Sequence, residues 1–308
     1  MPRIELGSYV EAFVLWLLSA IPALLDGISA VVTVVVEALT AVFAGPPWWV
    51  WLVLLTVAAL LVRGWGLAVF TLLGFALIDA FDLWQETMET LGVVLVAALI
   101  ATAVGVPLGI WAARSRSVGA ALRPLLDLMQ TTPVFVYLIP AVFFFGIGVV
   151  PGVVATTIFS IPPAVRLTEL GIRGVDPEVV EAAHAFGAHP RQILREVQLP
   201  MALPSIMAGI NQVIMLALSM VVVAGLAGAD GLGTVVVSAV TQLDIAAGVE
   251  GGLAVVILAI FLDRFTAALA ERPGRGLLAT LRTRRPQPTA EAPPPAPTIA
   301  APTPAPGT

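Results

Sequence analysis

Residues 176–200, DPEVVEAAHAFGAHPRQILREVQLP, form a polar stretch between long apolar segments. Asp176 is a residue type that caps helix N-termini, and Pro177 suits the first helical position, so a short helix is predicted to begin here. We expect this helix to end at about Phe186, with Gly187 supplying the left-handed residue that follows many helix C-termini. The stretch therefore predicts a short, capped helix that ends in a glycine elbow.

The second half of this stretch predicts another short helix, from Pro190 to about Gln198, with Pro200 beginning the approach to the next apolar segment. The small side chains of Ala182 and Ala183 would let the surface of a partner approach closely. An ordinary amphipathic loop between membrane helices would show the same caps. The capping pattern alone therefore leaves both interpretations open.

The rest of the chain has the composition of a membrane protein. Of its 308 residues, 59% are hydrophobic and 11% are charged, and the mean hydropathy is +1.00. A soluble domain has about 25% charged residues. Several apolar runs of roughly 18 or more residues are long enough to cross a bilayer as helices. The composition therefore predicts an all-α, polytopic membrane protein.

Three absences limit the chemistry of this chain. All 15 basic residues are arginines, and a P-loop requires a lysine, so an ATP-driven process would need its motor on another polypeptide. There is no cysteine, which excludes disulfides and thiolate metal sites. The two histidines are too few for a histidine-rich metal site or proton relay. We expect no metal, no cofactor, no nucleic-acid partner and no enzymatic activity in this chain.

Hydropathy predicts about seven transmembrane helices. They are 48–62, 66–82, 89–112, 125–147, 150–166, 206–228 and 252–270. If the connection 167–205 is cytoplasmic, every arginine except Arg3 lies on the cytoplasmic side, and the opposite connections contain acidic residues but no arginine. By the positive-inside rule, the N-terminus is then outside and the C-terminus is cytoplasmic.

The two ends of the chain differ from this membrane domain, which is assigned to 47–275. Residues 1–46 contain apolar runs interrupted by polar residues; they are predicted to be amphipathic helices at the outer interface, with a short hairpin inside the membrane as the alternative. Residues 276–308 form a Pro/Ala/Thr-rich segment that cannot bury enough apolar surface to fold, so a disordered cytoplasmic tail is predicted.

The polar stretch resembles the cytoplasmic loop of ABC importer permeases. That loop has Glu-Ala-Ala, three residues, Gly, nine residues and then Ile-x-Leu-Pro, and Val197 replaces the isoleucine here. The matching residues are Glu181, Ala182, Ala183, Gly187, Leu199 and Pro200. The resemblance implies that these residues form the coupling helix, which sits in a cleft of the ATPase, and its return to the membrane.

Other segments resemble the glycine betaine/proline betaine permeases in particular. They are QTTPVFVYLIPAVFFFGIGVVPGVV (130–154), IPPAVRLTELGIRGV (161–175), NQVIMLALSMVVVAGLAGADGLG (211–233) and LDRFT (262–266). The likeness spans approximately 90–270 and implies the type I ABC importer permease fold in the plasma membrane of a bacterium or archaeon. It also implies two ATPase copies, an extracytoplasmic substrate-binding protein and a second permease copy, as a homodimer. Alternatives are a permease for another small solute, such as an amino acid or a sulfonate, and a secondary transporter.

Polar residues inside the predicted spans are candidates for the translocation path. They are Gln130, Thr131, Thr132, Pro133, Asn211 and Gln212. The two amides either line the path or bond to a neighbouring helix, because lipid exposure would be costly. Gly105 and Gly109 have a GxxxG spacing that permits close helix contact. Asp127 is expected to pair with Arg123, four residues before it.

Overall fold

The computed structural model describes residues 6–270, and the elements within that range are helices. They are α1 (Leu6–Ala20), α2 (Pro22–Ala44), α3 (Trp48–Arg63), α4 (Trp65–Ala80), α5 (Trp84–Arg114), α6 (Arg116–Thr131), α7 (Phe135–Phe145), α8 (Val149–Arg173), α9 (Pro177–Ala185), α10 (Pro190–Gln192), a π-helical segment (Ile193–Gln198), α11 (Leu199–Ser219), α12 (Val221–Leu226), α13 (Leu232–Gln242) and α14 (Ile245–Ala270). The predicted tail, 276–308, lies outside the described residues.

Helix α8 is the centre of the fold, and α5 and α11 pack against it. Glycines set the separation of α5 and α8. A Cβ added to Gly105 would lie 2.5 Å from the Cβ of Ala164, and one added to Gly109 would lie 2.6 Å from both the Cβ of Thr168 and the carbonyl oxygen of Val165. The GxxxG spacing therefore serves close helix packing within one chain, as small residues do in membrane helices.

Among the described residues, five helices are long and apolar enough to cross a membrane: α2, α5, α8, α14 and the continuous helix Pro190–Ser219. The spans predicted at 89–112, 150–166 and 252–270 fall in α5, α8 and α14. Those predicted at 48–62 and 66–82 are the shorter apolar helices α3 and α4.

Helices α3 and α4 form a tight hairpin about Gly64, whose φ of 93° suits a glycine. At the same end, Nη1 of Arg63 donates a hydrogen bond to the carbonyl oxygen of Arg264, 3.3 Å away. Both of these arginines were assigned to the cytoplasmic side from the charge distribution. Their contact agrees with that assignment.

The span predicted at 125–147 is not one continuous helix, because α6 and α7 meet at an angle of 92°, as in a broken span or a re-entrant loop. The residue before a proline is driven out of the helical region. Thr132, which precedes Pro133, has an extended conformation with φ −73° and ψ 128°. Hydropathy measures only how apolar a run is, and so it did not show that this apolar run changes direction.

The span predicted at 206–228 also differs from the structure. Helix α11 starts earlier, at Leu199, and ends at Ser219, and the short α12 follows it. The connection after 228, predicted as an outer loop, contains the apolar helix α13. Helices α12 and α13 cross at two glycines. A Cβ on Gly233 would lie 2.1 Å from the carbonyl oxygen of Val221. A Cβ on Gly225 would lie 2.4 Å from the carbonyl carbon of Gly233.

Helix α2 packs against the body of the protein. Val32 and Val36 are buried against a cluster on α5 and α8 that includes Val93 and Val153. Helix α2, at 23 residues, is long and apolar enough to cross a membrane, so the hairpin alternative stays open beside the interfacial one. The interfacial placement of 1–46 stays a prediction.

Candidate ATPase-coupling site and translocation path

Helix α9 forms as its local sequence predicts. The Oδ1 atom of Asp176 accepts a hydrogen bond from the backbone N–H of Glu178 at 2.9 Å, and Pro177 occupies the first helical position. The helix ends at Ala185, and Gly187 follows with a φ of 81°. The predicted cap and glycine elbow are both confirmed.

The second leg of the loop begins with a capping box that the sequence analysis missed. Nδ1 of His189 accepts from the backbone N–H of Arg191 at 3.3 Å, while Oε1 of Gln192 accepts from the backbone N–H of His189 at 2.9 Å. Histidine is an unusual N-cap residue. The proline at position 190, followed by a glutamine, was the available signal.

The prediction that this second helix ends at about Gln198 is wrong, because the helix continues through a π-helical segment into α11. Pro200 has no N–H to bond the carbonyl of Glu196, four residues before it. The backbone N–H of Leu199 bonds instead to the carbonyl of Leu194, five residues before it. This wider turn lets the helix pass the proline, so the loop leads directly into the membrane helix.

Apolar packing fixes the segment that leads from the loop into α11. Leu194 and Leu199 pack against a buried cluster of Ile172, Ala202 and Ile206. That cluster joins the end of α8 to the beginning of α11. Helix α9 is thus connected at both ends to helices of the central bundle.

Most side chains of α9 and of the elbow that follows it are exposed. Helix α9 has no buried residue, and Glu181 and Ala182 are exposed while Ala183 is half-buried. Phe186, at the end of α9, is 92% exposed. Sequence reasoning used this phenylalanine only to mark the helix end, although an aromatic residue in a polar loop is itself a signal of an interface.

The first group of candidate path residues lies at the bend between α6 and α7. Gln130, Thr131 and Pro133 are exposed, and Thr132 is half-buried. The hydroxyl of Thr131 donates to the carbonyl of Asp127 at 3.0 Å, and that of Thr132 donates to the carbonyl of Leu128 at 2.6 Å. The threonine hydroxyls thus satisfy the end of α6.

The two amide candidates on α11 have different environments. Nδ2 of Asn211 donates to Oδ1 of Asp263 at 2.9 Å, and its Oδ1 accepts from the hydroxyl of Thr266. Asn211 therefore joins α11 to α14, which is the helix-contact alternative for this residue. Gln212 is exposed and remains a candidate for the path.

The predicted pairing of Asp127 with Arg123 is wrong. Asp127 pairs with Arg166 of α8, and Arg123 pairs with Glu169 of α8 at 3.5 Å. The i, i+4 spacing made a pair within α6 plausible, but α8 presents opposite charges to both side chains.

Four of the acidic residues on the side opposite to the arginines come together in space. A cavity of about 430 Å³ is lined by Glu86 and Glu89 of α5 and by Asp230 and Asp244, which flank α13. These residues lie far apart in the sequence and were grouped only by the charge distribution. Their proximity supports the assignment of this end of the bundle to one side of the membrane.

Residues 105–275 match a family model described as binding-protein-dependent transport system inner membrane component. The match covers α8, the loop at 176–200 and α11. The chain belongs to this family, and it is a multi-pass membrane protein that acts as the permease subunit of an ABC importer. The relatives are transport permease subunits whose ATPase is a separate subunit, so this chain is not an enzyme.

Curated relatives specify the group within the family. The glycine betaine transport system permease protein OpuAB of Bacillus subtilis (strain 168) is 48% identical over 86% of this chain and 94% of its own length. The glycine betaine/carnitine transport permease protein GbuB of Listeria monocytogenes is 49% identical over 88% and 98%. The glycine betaine/proline betaine permease protein ProW of Escherichia coli (strain K12) is 45% identical over 86% and 75%. The resemblance to these permeases is confirmed.

Solved structures support the fold. A chain of the MetNI methionine ABC transporter, in an inward-facing conformation, aligns with a TM-score of 0.54 and covers 62% of this chain and 96% of its own length. The sequence identity of that pair is 21%. The likeness confirms the predicted ABC importer permease fold.

Proposed function

We propose that this chain is the permease subunit of an ATP-driven importer for glycine betaine, proline betaine or related quaternary ammonium solutes. The observation that carries the proposal is the 45–49% identity to three permeases named for glycine betaine, over more than four fifths of this chain. The importer would lie in the plasma membrane of a bacterium or archaeon.

Residues 176–200, the proposed coupling loop, are the proposed contact with the ATPase. Helix α9 exposes Glu181 and Ala182, with Ala183 half-buried beside them, and Phe186 supplies an exposed aromatic side chain of a type enriched in protein interfaces. Gly187 sets the elbow, while Leu199 and Pro200 carry the return leg into α11. Closure of the ATPase would push on α9 and, through it, on α8 and α11.

Two ATPase copies and two permease copies make up the proposed assembly, with a substrate-binding protein on the outer side. Helix α7 has an exposed apolar stripe formed by Phe135, Ile139 and Phe143, at i, i+4 and i+8. A second copy of this chain would cover part of the apolar surface and enclose the path. Because the chain has no cysteine, Ile139→Cys gives a single cross-linking site, and a cross-linked dimer of this chain is expected.

The proposed path includes the bend at 130–133 and Gln212 of α11. The bend exposes side chains and backbone where two helices end, and such breaks suit solute binding within membranes. Transport would follow a two-state rocking of the helices between inward-open and outward-open forms. Asn211, whose amide is bonded to α14, would hold α11 in place beside this path.

Uptake into proteoliposomes tests the proposal. The chain is reconstituted with its ATPase and binding protein, and import of labelled glycine betaine is measured with and without ATP. ATP-dependent import that unlabelled proline betaine inhibits, and methionine does not, is the expected result. Import inhibited by an amino acid or a sulfonate, with no effect of betaines, would contradict the substrate assignment.

A further inference from the structure

The cytoplasmic end of α8 contains a buried carboxylate that the proposed mechanism does not yet use. Glu169 is 8% exposed and lies one turn before the end of α8. Acidic side chains are almost never buried unless they are paired. The residues that pair with Glu169 therefore show which helices are held together at this end of α8.

Two arginines surround this carboxylate. Nε of Arg173, one turn further along α8, lies 3.0 Å from Oε1 of Glu169, and Nη2 of Arg123 on α6 lies 3.5 Å from the same oxygen. The guanidinium of Arg173 also donates from Nη2 to the carbonyl oxygen of Ala112 on α5, at 2.7 Å. The Glu169–Arg173 pair thus connects α8 to α6 through Arg123 and to α5 through the carbonyl of Ala112.

Helix α6 lies very close to this network. A Cβ added to Gly119 would lie 3.0 Å from Nη2 of Arg173, 3.0 Å from Oε1 of Glu169 and 3.3 Å from the carbonyl oxygen of Ala112. Only a glycine permits this approach without displacement of the charged groups. One face of α6 therefore fits the network in shape as well as charge.

A second ion pair extends this contact towards the bend. Asp127 of α6 pairs with Arg166 of α8. Gly119, Arg123 and Asp127 are spaced four residues apart, so they share one face of α6. That face follows α8 from the membrane end of the coupling loop to within one turn of the bend.

The ion pairs of Arg123 and Asp127 with α8 form a joint between α6 and α8. This joint lies between two parts of the proposed mechanism. At one end, α8 stops at Arg173, and Asp176 caps α9 three residues later. At the other end, α6 stops at the bend that contains 130–133. We propose that Glu169 is a positioning residue for transport, which ties α6 and the α6–α7 bend to the base of the coupling loop so that they move together. This inference rests on the proposed function.

The test uses two variants of the joint and one matched control. Arg123→Gln removes the ion pair between α6 and Glu169 and leaves the Arg173–Glu169 and Asp127–Arg166 pairs intact; the Arg123 side chain is 65% exposed, so folding should be preserved. Glu169→Gln removes the shared charge. Arg116→Gln makes the same charge change on α6 at an exposed residue that has no ion pair among the described residues.

The readout is the number of ATP molecules hydrolysed per glycine betaine imported in proteoliposomes. Both joint variants are expected to raise this ratio by roughly 2- to 30-fold, the range by which substitutions along coupling networks alter coupling. ATPase copurification should be unchanged, and Arg116→Gln should match the wild type. A wild-type ratio in Arg123→Gln, or a parallel loss of hydrolysis and import, would overturn the inference.

Failure of the proposed function would look different, because the unmodified chain would then not copurify with an ATPase or not import a betaine. A distance measurement adds an independent readout. Since the chain has no cysteine, spin labels can be placed at two exposed positions, Ala120→Cys on α6 and Ala185→Cys on α9. The distance between them should stay constant with and without trapped ATP, and should vary with nucleotide in Arg123→Gln. A distance that changes equally in both proteins would overturn the inference.

Discussion

The elbow at Gly187 allows a test in which backbone strain is the only variable. Its φ is 81°, and a Cβ added there would have no heavy atom within 4 Å. Alanine at this position therefore meets no neighbour and costs only the left-handed conformation, about 1–2 kcal/mol. Asparagine tolerates this conformation better and serves as the matched variant.

The elbow fixes the direction of the loop through two hydrogen bonds. The backbone N–H of Gly187 donates to the carbonyl of His184 at 2.9 Å, and that of Ala188 donates to the carbonyl of Ala183 at 3.1 Å. If strain shifts residue 187 out of its conformation, both bonds weaken and Phe186 moves with the end of α9. A cost of 1–2 kcal/mol corresponds to a loss of about 5- to 30-fold in affinity for the ATPase.

The assay is titration of the purified permease with its ATPase, together with uptake. Gly187→Ala should bind the ATPase about 5- to 30-fold more weakly than the wild type, and Gly187→Asn should lie much closer to it. Gly66→Ala is the control, because it also meets no atom within 4 Å but lies in a helix. Equal affinity of Gly187→Ala, Gly187→Asn and Gly66→Ala would refute the role of the elbow.

Three further predictions concern packing and contacts. Gly109→Ala should destabilise the detergent-solubilised protein by about 1–3 kcal/mol, because its Cβ would overlap α8. Asn211→Leu should lower the unfolding temperature, at about 0.6 kcal/mol per lost interhelical hydrogen bond, while Gln212→Leu should reduce uptake without that change. Phe186→Ser should weaken ATPase binding by about 1.5–3 kcal/mol and leave unfolding unchanged, because the side chain is exposed.

Each of these predictions has a result that would contradict it. Gly27→Ala, at a site with no heavy atom within 4 Å, is the control for Gly109→Ala. Equal stability of these two variants would exclude the predicted overlap with α8. Loss of uptake with unchanged stability in Asn211→Leu would place Asn211 in the path. Undiminished ATPase binding by Phe186→Ser would exclude the anchor.

The sequence predicts best what depends on neighbouring residues. The cap at Asp176 and the elbow at Gly187 are local, and both appear as predicted. The charge distribution along the sequence also agrees with the structure, since four of the acidic residues assigned to the outer side line one cavity. These features need no knowledge of which helices pack together.

Features that depend on a distant helix were predicted poorly. Asp127 has a suitable partner on its own helix, but its partner in the fold lies on α8. The apolar run 125–147 has the length of one span, yet the local restriction imposed by Pro133 divides it. Glu169 received no role, because its importance comes from three helices that meet only in the folded chain.

Helix α8 contacts α5 and α6 in different ways. This difference affects which of these helices move together. The seam with α5 is made by glycine contacts at Gly105 and Gly109, where sliding would bring atoms into overlap. The contact with α6 is made by two ion pairs and by the close approach at Gly119. A push on α9 should therefore move α5 and α8 as one body. The Glu169 joint then determines how much of that motion reaches the bend.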